Sequence, residues 1–299
     1  MGKAIILSDQ DFSQKNLGRV TFSVTNEERA ASIASSYCTQ IGDQSVYDSI
    51  YNFVLGLLNS EQWDKINAVY PMYGDNLAKL CTNLQSPGTF DLKVGGNATA
   101  ETGDIDFVRT IGTGDVGTPS SPISGRYIFV AIGFICHDLG ASSTTNTWFE
   151  FRNAEGGTTY YIRLQVTSAQ IGLNLGRNTT SYTFAFQTAG IMYKHNLVCF
   201  AIDRNTGNYV VLFNGVQTHS GTLPATSPNA DTIINNILGQ SYWNAKDTPS
   251  GEAINLNTNL ADGEAFFYAI GEVEPANAAA ISQAIINGII TDKGITLGE

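Results

Sequence analysis

Leu197-Val198-Cys199-Phe200-Ala201-Ile202-Asp203 is followed by Arg204-Asn205-Thr206-Gly207, and then by Asn208-Tyr209-Val210-Val211-Leu212-Phe213-Asn214. Two runs of β-branched, aromatic and aliphatic residues flank a short polar loop that ends in glycine. Such a pattern predicts an antiparallel hairpin. Asn214-Gly215 marks a second tight turn, and Val216–His219 forms the next strand. Both long runs are apolar at almost every position, so each strand is expected to be covered on both faces.

The same period of two extends upstream. Tyr127–Cys136 is a continuous apolar strand candidate. Trp148–Arg152 alternates. Tyr160, Ile162, Leu164 and Val166 share one face of a strand, with Tyr161, Arg163, Gln165 and Thr167 on the other. Ile171, Leu173 and Leu175 make a further face, as do Tyr182, Phe184 and Phe186. Ala265–Ile270 is the last strand. At least eight strands follow one another with no helices between them. That excludes a parallel α/β sheet and predicts an antiparallel sandwich or jelly roll.

Helical spacing appears only at the two ends. Thr25 and Glu28 are spaced as a capping box, and Ala30, Ile33, Ala34, Tyr37, Cys38 and Ile41 then repeat at helical intervals up to Gly42. A second helix is expected from about Gln44, with Val46, Ile50, Phe53, Val54 and Leu57 on one face. Ser60-Glu61-Gln62-Trp63 adds a short turn, and the period changes near Ile66. Near the other end Pro275 opens a short helix striped by Ala278, Ile281, Ile285 and Ile289, with Asn287-Gly288 expected to fray it. The division expected is an arm over 1–24, a helical module over 25–65 and a β domain over 66–299. Ala4–Leu7 in the arm is a short β-like run that could pair with a neighbouring subunit or dock on its own core.

The chain has 299 residues and a net charge of −11. Its 16 basic residues are scattered, so the counterion release that drives nucleic-acid binding is missing, and anionic membranes would repel it. No apolar stretch reaches the length of a membrane span. Cys38, Cys81, Cys136 and Cys199 have no C-x-x-C spacing, and a reducing compartment during folding is expected. Cys136 and Cys199 lie in apolar runs and read as small buried hydrophobes.

The centre of the chain, Lys194–Asp203 with Gly207–Gly215, resembles the core of a laminin-G/concanavalin-A-like jelly roll. Phe266-Phe267-Tyr268-Ala269-Ile270-Gly271-Glu272 is similar to the closing strand of that superfamily. Trp63-Asp64-Lys65-Ile66-Asn67-Ala68-Val69-Tyr70-Pro71, with Asn83-Leu84 downstream, resembles a module in structural proteins of gut bacteriophages, including crAss-like ones. The resemblance spans about residues 45–290. It implies a mainly β, concanavalin-like jelly-roll sandwich with an N-terminal helical module and a short C-terminal helix. It also implies a virion fibre or decoration protein, made in a bacterial cytoplasm, assembled as a homo-oligomer and in contact with other virion proteins.

The chemistry-bearing residues favour binding over catalysis. The fold's glycosidases carry Glu-x-Asp-x-x-Glu, and no such spacing occurs here. Asp104-Ile105-Asp106 puts two acids on one strand face, yet the flanking Thr-Gly steps read as a solvated loop edge. His137, His195 and His219 lack metal spacing and read as turn or surface residues. No nucleophile elbow or phosphate-cradling glycine loop is present. No catalytic residue, metal or cofactor is expected. Sugar recognition needs exposed rings beside hydrogen-bonding groups, and Tyr242, Trp243 and Asn244 are the candidate ligand-binding residues. The alternative for Trp243 is burial over the sheet edge. A cell-surface glycan is the candidate ligand. The rival functional readings are a carbohydrate-binding module or adhesin outside a virion and, less favoured, a glycoside hydrolase.

Overall fold

The computed structural model describes residues 24–89, 91–102, 105–117, 126–138, 146–155, 158–166, 171–177, 180–187, 192–203, 205–222 and 262–299. The arm expected over 1–24 lies outside them, apart from its last residue.

Thr25 and Glu28 form the capping box. The Thr25 hydroxyl accepts from the Glu28 amide at 3.2 Å, and the Glu28 carboxylate accepts from the Thr25 amide at 3.0 Å. Helix α1 runs Asn26–Ile41 and ends at Gly42, whose φ of 70° is the left-handed conformation glycine adopts without strain. Helix α2 spans Tyr47–Asn59, starting later than its apolar stripe suggests. Asp43 is the reason. Its Oδ1 accepts from the Ser45 amide at 2.9 Å and from the Ser45 hydroxyl at 2.7 Å, which holds the preceding residues in a turn. A 3₁₀ turn, Trp63–Lys65, delivers the chain into strand β1, Ile66–Tyr70. Trp63 is buried. A single helical turn, α3, follows at Leu77–Leu80.

Eleven further strands occur among the described residues: β2 Lys93–Glu101, β3 Phe107–Gly117, β4 Tyr127–Asp138, β5 Asn146–Glu155, β6 Thr158–Val166, β7 Ile171–Arg177, β8 Thr180–Gln187, β9 Asn196–Asp203, β10 Asn208–Phe213, β11 Val216–Thr222 and β12 Asp262–Gly271. The first two were not visible in the pattern, because their glycines and threonines break the alternation. The strands form two antiparallel sheets. The larger has the order β11-β10-β9-β4-β12-β3-β2. β1 joins it by pairing with Tyr268–Gly271, while β3 pairs with Asp262–Ala265 of the same strand. Two segments thus share one edge of β12 end to end. The smaller sheet is the meander β5-β6-β7-β8. Its register aligns Phe151, Ile162, Leu175 and Tyr182 in one cross-strand row.

Asn214 and Gly215 have φ of 50° and 83°, the pair of positive values a two-residue hairpin turn demands. β9 is buried at every position. One of its faces, Leu197, Cys199 and Ala201, shares a core with both long helices. Val198, Phe200 and Ile202 on the other face are buried too. All four cysteines are buried free thiols.

Helix α4, Ala278–Ile285, places Ile281 and Ile285 in the same core. The end of this helix does not fray at Asn287-Gly288. Ile286–Ile290 continue as a π-helical turn, and Gly288 is buried against α2. A Cβ on Gly288 would lie 2.5 Å from Phe53 Cβ and 2.6 Å from Phe53 Cα. Glycine is therefore required by a close approach of two backbones.

Asp203 closes β9. Arg126 grips it in a bidentate pair, Nε to Oδ1 at 2.9 Å, and the Asn205 amide donates to Oδ1 at 2.9 Å. The Arg126 guanidinium holds this carboxyl at about 2, below the usual carboxylate range. Its stabilisation is therefore complete above the unfolded value near pH 4 and fades as pH falls towards 2. Arg126 is 47% exposed, so screening by water and salt keeps the contribution small. Asp203→Asn should lower stability at pH 7 and by progressively less as pH falls through 2, as read by urea denaturation.

Candidate functional site

Tyr242, Trp243 and Asn244 lie outside the described residues, as does Asp104. Asp106 is described. It precedes β3, is half-buried, and accepts a hydrogen bond from the Gly74 amide at 3.1 Å. The histidines are not simple turn residues. His137 ends β4 and its Nε2 is 2.7 Å from Glu264 Oε1 on β12. His195 packs its ring 5.7 Å from Phe266, and its Nδ1 is 3.1 Å from the Glu299 carbonyl oxygen. His219 lies in β11.

Asp106 belongs to a cleft of about 530 Å³, lined also by Asp43, Ser45, Tyr73, Asp75 and Lys293. Four segments build it: the α1–α2 turn, the loop after β1, the approach to β3 and the residues after the π-helical turn. Lys293 forms its floor and is 7% exposed. Its ammonium donates to the carbonyls of Met72 at 2.8 Å and Asp106 at 3.1 Å, and sits 4.0 Å from the centre of the Tyr73 ring. Met72 has a φ of 55°, a strained value for a residue with a side chain. Burial lowers the Lys293 amine to about 7, with Asp106 and Asp292 opposing that shift. The Tyr73 hydroxyl donates to Asp292 Oδ2 at 3.0 Å and lies 2.6 Å from Ser49 Oγ. Ser49 in turn donates to the Gly288 carbonyl at 2.6 Å. Burial pushes the Tyr73 phenol well up, so it stays a neutral donor.

Chemically the cleft is a clasp. Lys293 ties three separate segments together through backbone carbonyls. The proton-donating carboxyl of a glycosidase sits in an apolar pocket. None of the four cleft aspartates has that burial: Asp75 and Asp292 are exposed, and Asp43 and Asp106 are half-buried. Lys79 also holds Asp75 below the ordinary carboxylate range. Among the described residues no group of three or more His, Cys, Asp or Glu side chains could hold a metal ion, and no helix is long and apolar enough to cross a membrane.

Sequence reading missed this lysine, although its signal was present. Ile281, Ile285, Ile289 and Lys293 continue one stripe at four-residue spacing. A cation on an apolar stripe predicts burial with carbonyl partners.

No protein family matches the chain, and no curated protein sequence matches it. Solved structures do. Botulinum neurotoxin type C, which depends upon interaction with two ganglioside molecules to enter cells, matches with a TM-score of 0.52 at 9% identity, over 76% of this chain and 53% of that one. The chain thus spans about half the length of the toxin chain. Domain 4 of the extracellular arabinanase AbnA from Geobacillus stearothermophilus, in complex with arabinotriose, matches with a TM-score of 0.47 at 16% identity, over 73% of this chain and 98% of that one. The family-40 carbohydrate-binding module of the Ruminococcus gnavus IT-sialidase, bound to α2,3-sialyllactose, gives 0.36 at 14% identity, over 52% and 83%. At these identities the likeness concerns the fold, which is mainly antiparallel β sheet with few helices.

Proposed function

We propose that the chain is a non-enzymatic structural protein of a bacteriophage virion, a fibre or decoration protein of crAss-like type, that presents a concanavalin-like sandwich to host-surface glycans. The observation that carries the glycan part is the likeness of this mainly antiparallel β fold to that of the ganglioside-dependent toxin. The sandwich part rests on burial. Val198, Phe200 and Ile202 face away from the helices yet are buried, and a second sheet is the natural cover for them. Support for a binding role comes from the cleft, whose acids lack the burial of a proton donor and whose lysine is committed to backbone carbonyls. The virion setting is supported by the junction at Trp63, where a helix pair leads straight into the sheet, as in the phage module it resembles.

The test has two arms. A glycan array probed with the full chain should retain a restricted set of glycans, with no hydrolysis of the retained ligands. Light scattering should give a multimeric mass, and antibodies against the chain should label intact phage particles. An array with no retained glycan would remove the attachment role. Unlabelled particles would remove the virion setting.

A further inference from the structure

Tyr193 stands mostly in solvent, 69% exposed, unlike the buried aromatics of the core such as Phe200 and Phe266. Its backbone has a φ of 59°, a conformation that costs free energy for a residue with a bulky side chain. The strain is locked in by pairing. Met192 bridges to Cys136, and the Tyr193 amide donates to the Cys136 carbonyl at 2.8 Å. A residue forced into this turn with its ring displayed to water serves no core.

Its neighbours are polar and anchored. The ring centre lies 5.9 Å from that of His137, at an interplanar angle of 50°. His137 is tied to Glu264, whose residue is 7% exposed. Only Oε1 of that carboxylate is engaged among the described residues, which leaves Oε2 as an acceptor in a largely desolvated place. Lys194, the nearest cation in sequence, is committed to the Gly298 carbonyl at 2.8 Å.

We propose that Tyr193, His137 and Glu264 form a binding site for an uncharged pyranose or furanose unit of a glycan. This deepens the glycan reading above and rests on it. A sugar presents an apolar C–H face, which suits the electron-rich face of a phenol ring. Its hydroxyls donate to the spare carboxylate oxygen and bond to the free ring nitrogen of His137. The carboxylate and the chain's net charge of −11 select against sialylated ligands. An exposed ring packed near a histidine that is itself tied to a buried carboxylate separates this place from an ordinary surface tyrosine.

The experiment compares the full chain with Tyr193→Ala, Tyr193→Asn and Tyr193→Phe on an array of neutral and sialylated glycans. Asparagine tolerates the left-handed backbone, so it controls for folding. The wild-type chain should retain neutral glycans. Tyr193→Ala and Tyr193→Asn should weaken that binding at least tenfold without lowering the melting temperature, and Tyr193→Phe should keep it. Wild-type binding that survives both truncations, or that is confined to sialylated glycans, overturns this site and leaves the glycan reading standing. A wild-type chain that retains no glycan overturns both.

Discussion

Gly288→Ala should destabilise the protein by about 3 kcal/mol, the upper part of the range for overpacked cores. The new methyl would meet Phe53 Cβ, Cα and N at 2.5, 2.6 and 2.7 Å. Two of those atoms are backbone, so no rotamer change relieves the clash. Helix α2 or the π-helical turn must move, and both carry fully buried residues such as Phe53, Leu57 and Ile289. Movement would also disturb the bond from Ser49 to the Gly288 carbonyl, and with it the contact to Tyr73 at the cleft. Gly56→Ala is the control. There the added Cβ meets Ala284 Cβ at 3.3 Å, which a shift of a few tenths of an ångström relieves. Urea denaturation should place the Gly288 variant far below wild type and the Gly56 variant close to it. Equal midpoints for the two would refute the close-approach account.

Lys293 leads to a second result, expressed in pH. Its amine titrates near 7 in the fold, against an ordinary 10.5. Between these values the unfolded chain holds a proton that the folded chain has released, so stability rises with pH. The slope is about 1.4 kcal/mol per pH unit, or roughly 2 kcal/mol between pH 7 and 8.5. Above about pH 9 the sign reverses. Burial pushes the Cys81 and Cys199 thiols up to about 12, so the folded chain then keeps protons that the unfolded chain sheds. Wild type should be most stable near pH 9, and Lys293→Met should lose the rise between 7 and 8.5 while keeping the fall above 9. Parallel profiles for the two proteins in the lower window would show that Lys293 is not desolvated.

The elements legible in the sequence were those whose cause is local. The capping box at Thr25, the left-handed stop at Gly42 and the turn at Asn214-Gly215 each depend on a few adjacent residues, and each is found in place. The long apolar strands β4 and β9 were legible for the same reason. What stayed hidden was set by distant partners. β2 and β3 lack a clean alternation and owe their strand form to each other and to β12. Gly288 read as a fraying signal because Phe53, which explains it, is far away in the chain. The cleft joins Asp43 to Asp106 and Lys293, and no spacing announces such a meeting. Tyr193 is one residue before the stretch Lys194–Asp203, yet its display depends on a backbone angle that no residue pattern encodes. The sugar-platform candidate at Tyr242 and Trp243 lies outside the described residues, so the comparison there falls to the array.

The sharing of one edge of β12 by β1 and β3 bears on how the chain is made. β12 sits between β4 and those two strands, so it is the keystone of the larger sheet, and it is the last strand among the described residues. During synthesis β4 and β9 can pair, but the other edge of β4 stays open until residues 262–271 leave the ribosome. Contacts that span most of the chain, such as Tyr70 with Tyr268, form only then. Loop-closure entropy makes such pairings slow. An unfinished sheet with an open central edge invites the same strand of a neighbouring nascent chain. Ribosome-bound chains halted before residue 262 should therefore be protease-sensitive and prone to associate, and should become resistant once β12 has emerged.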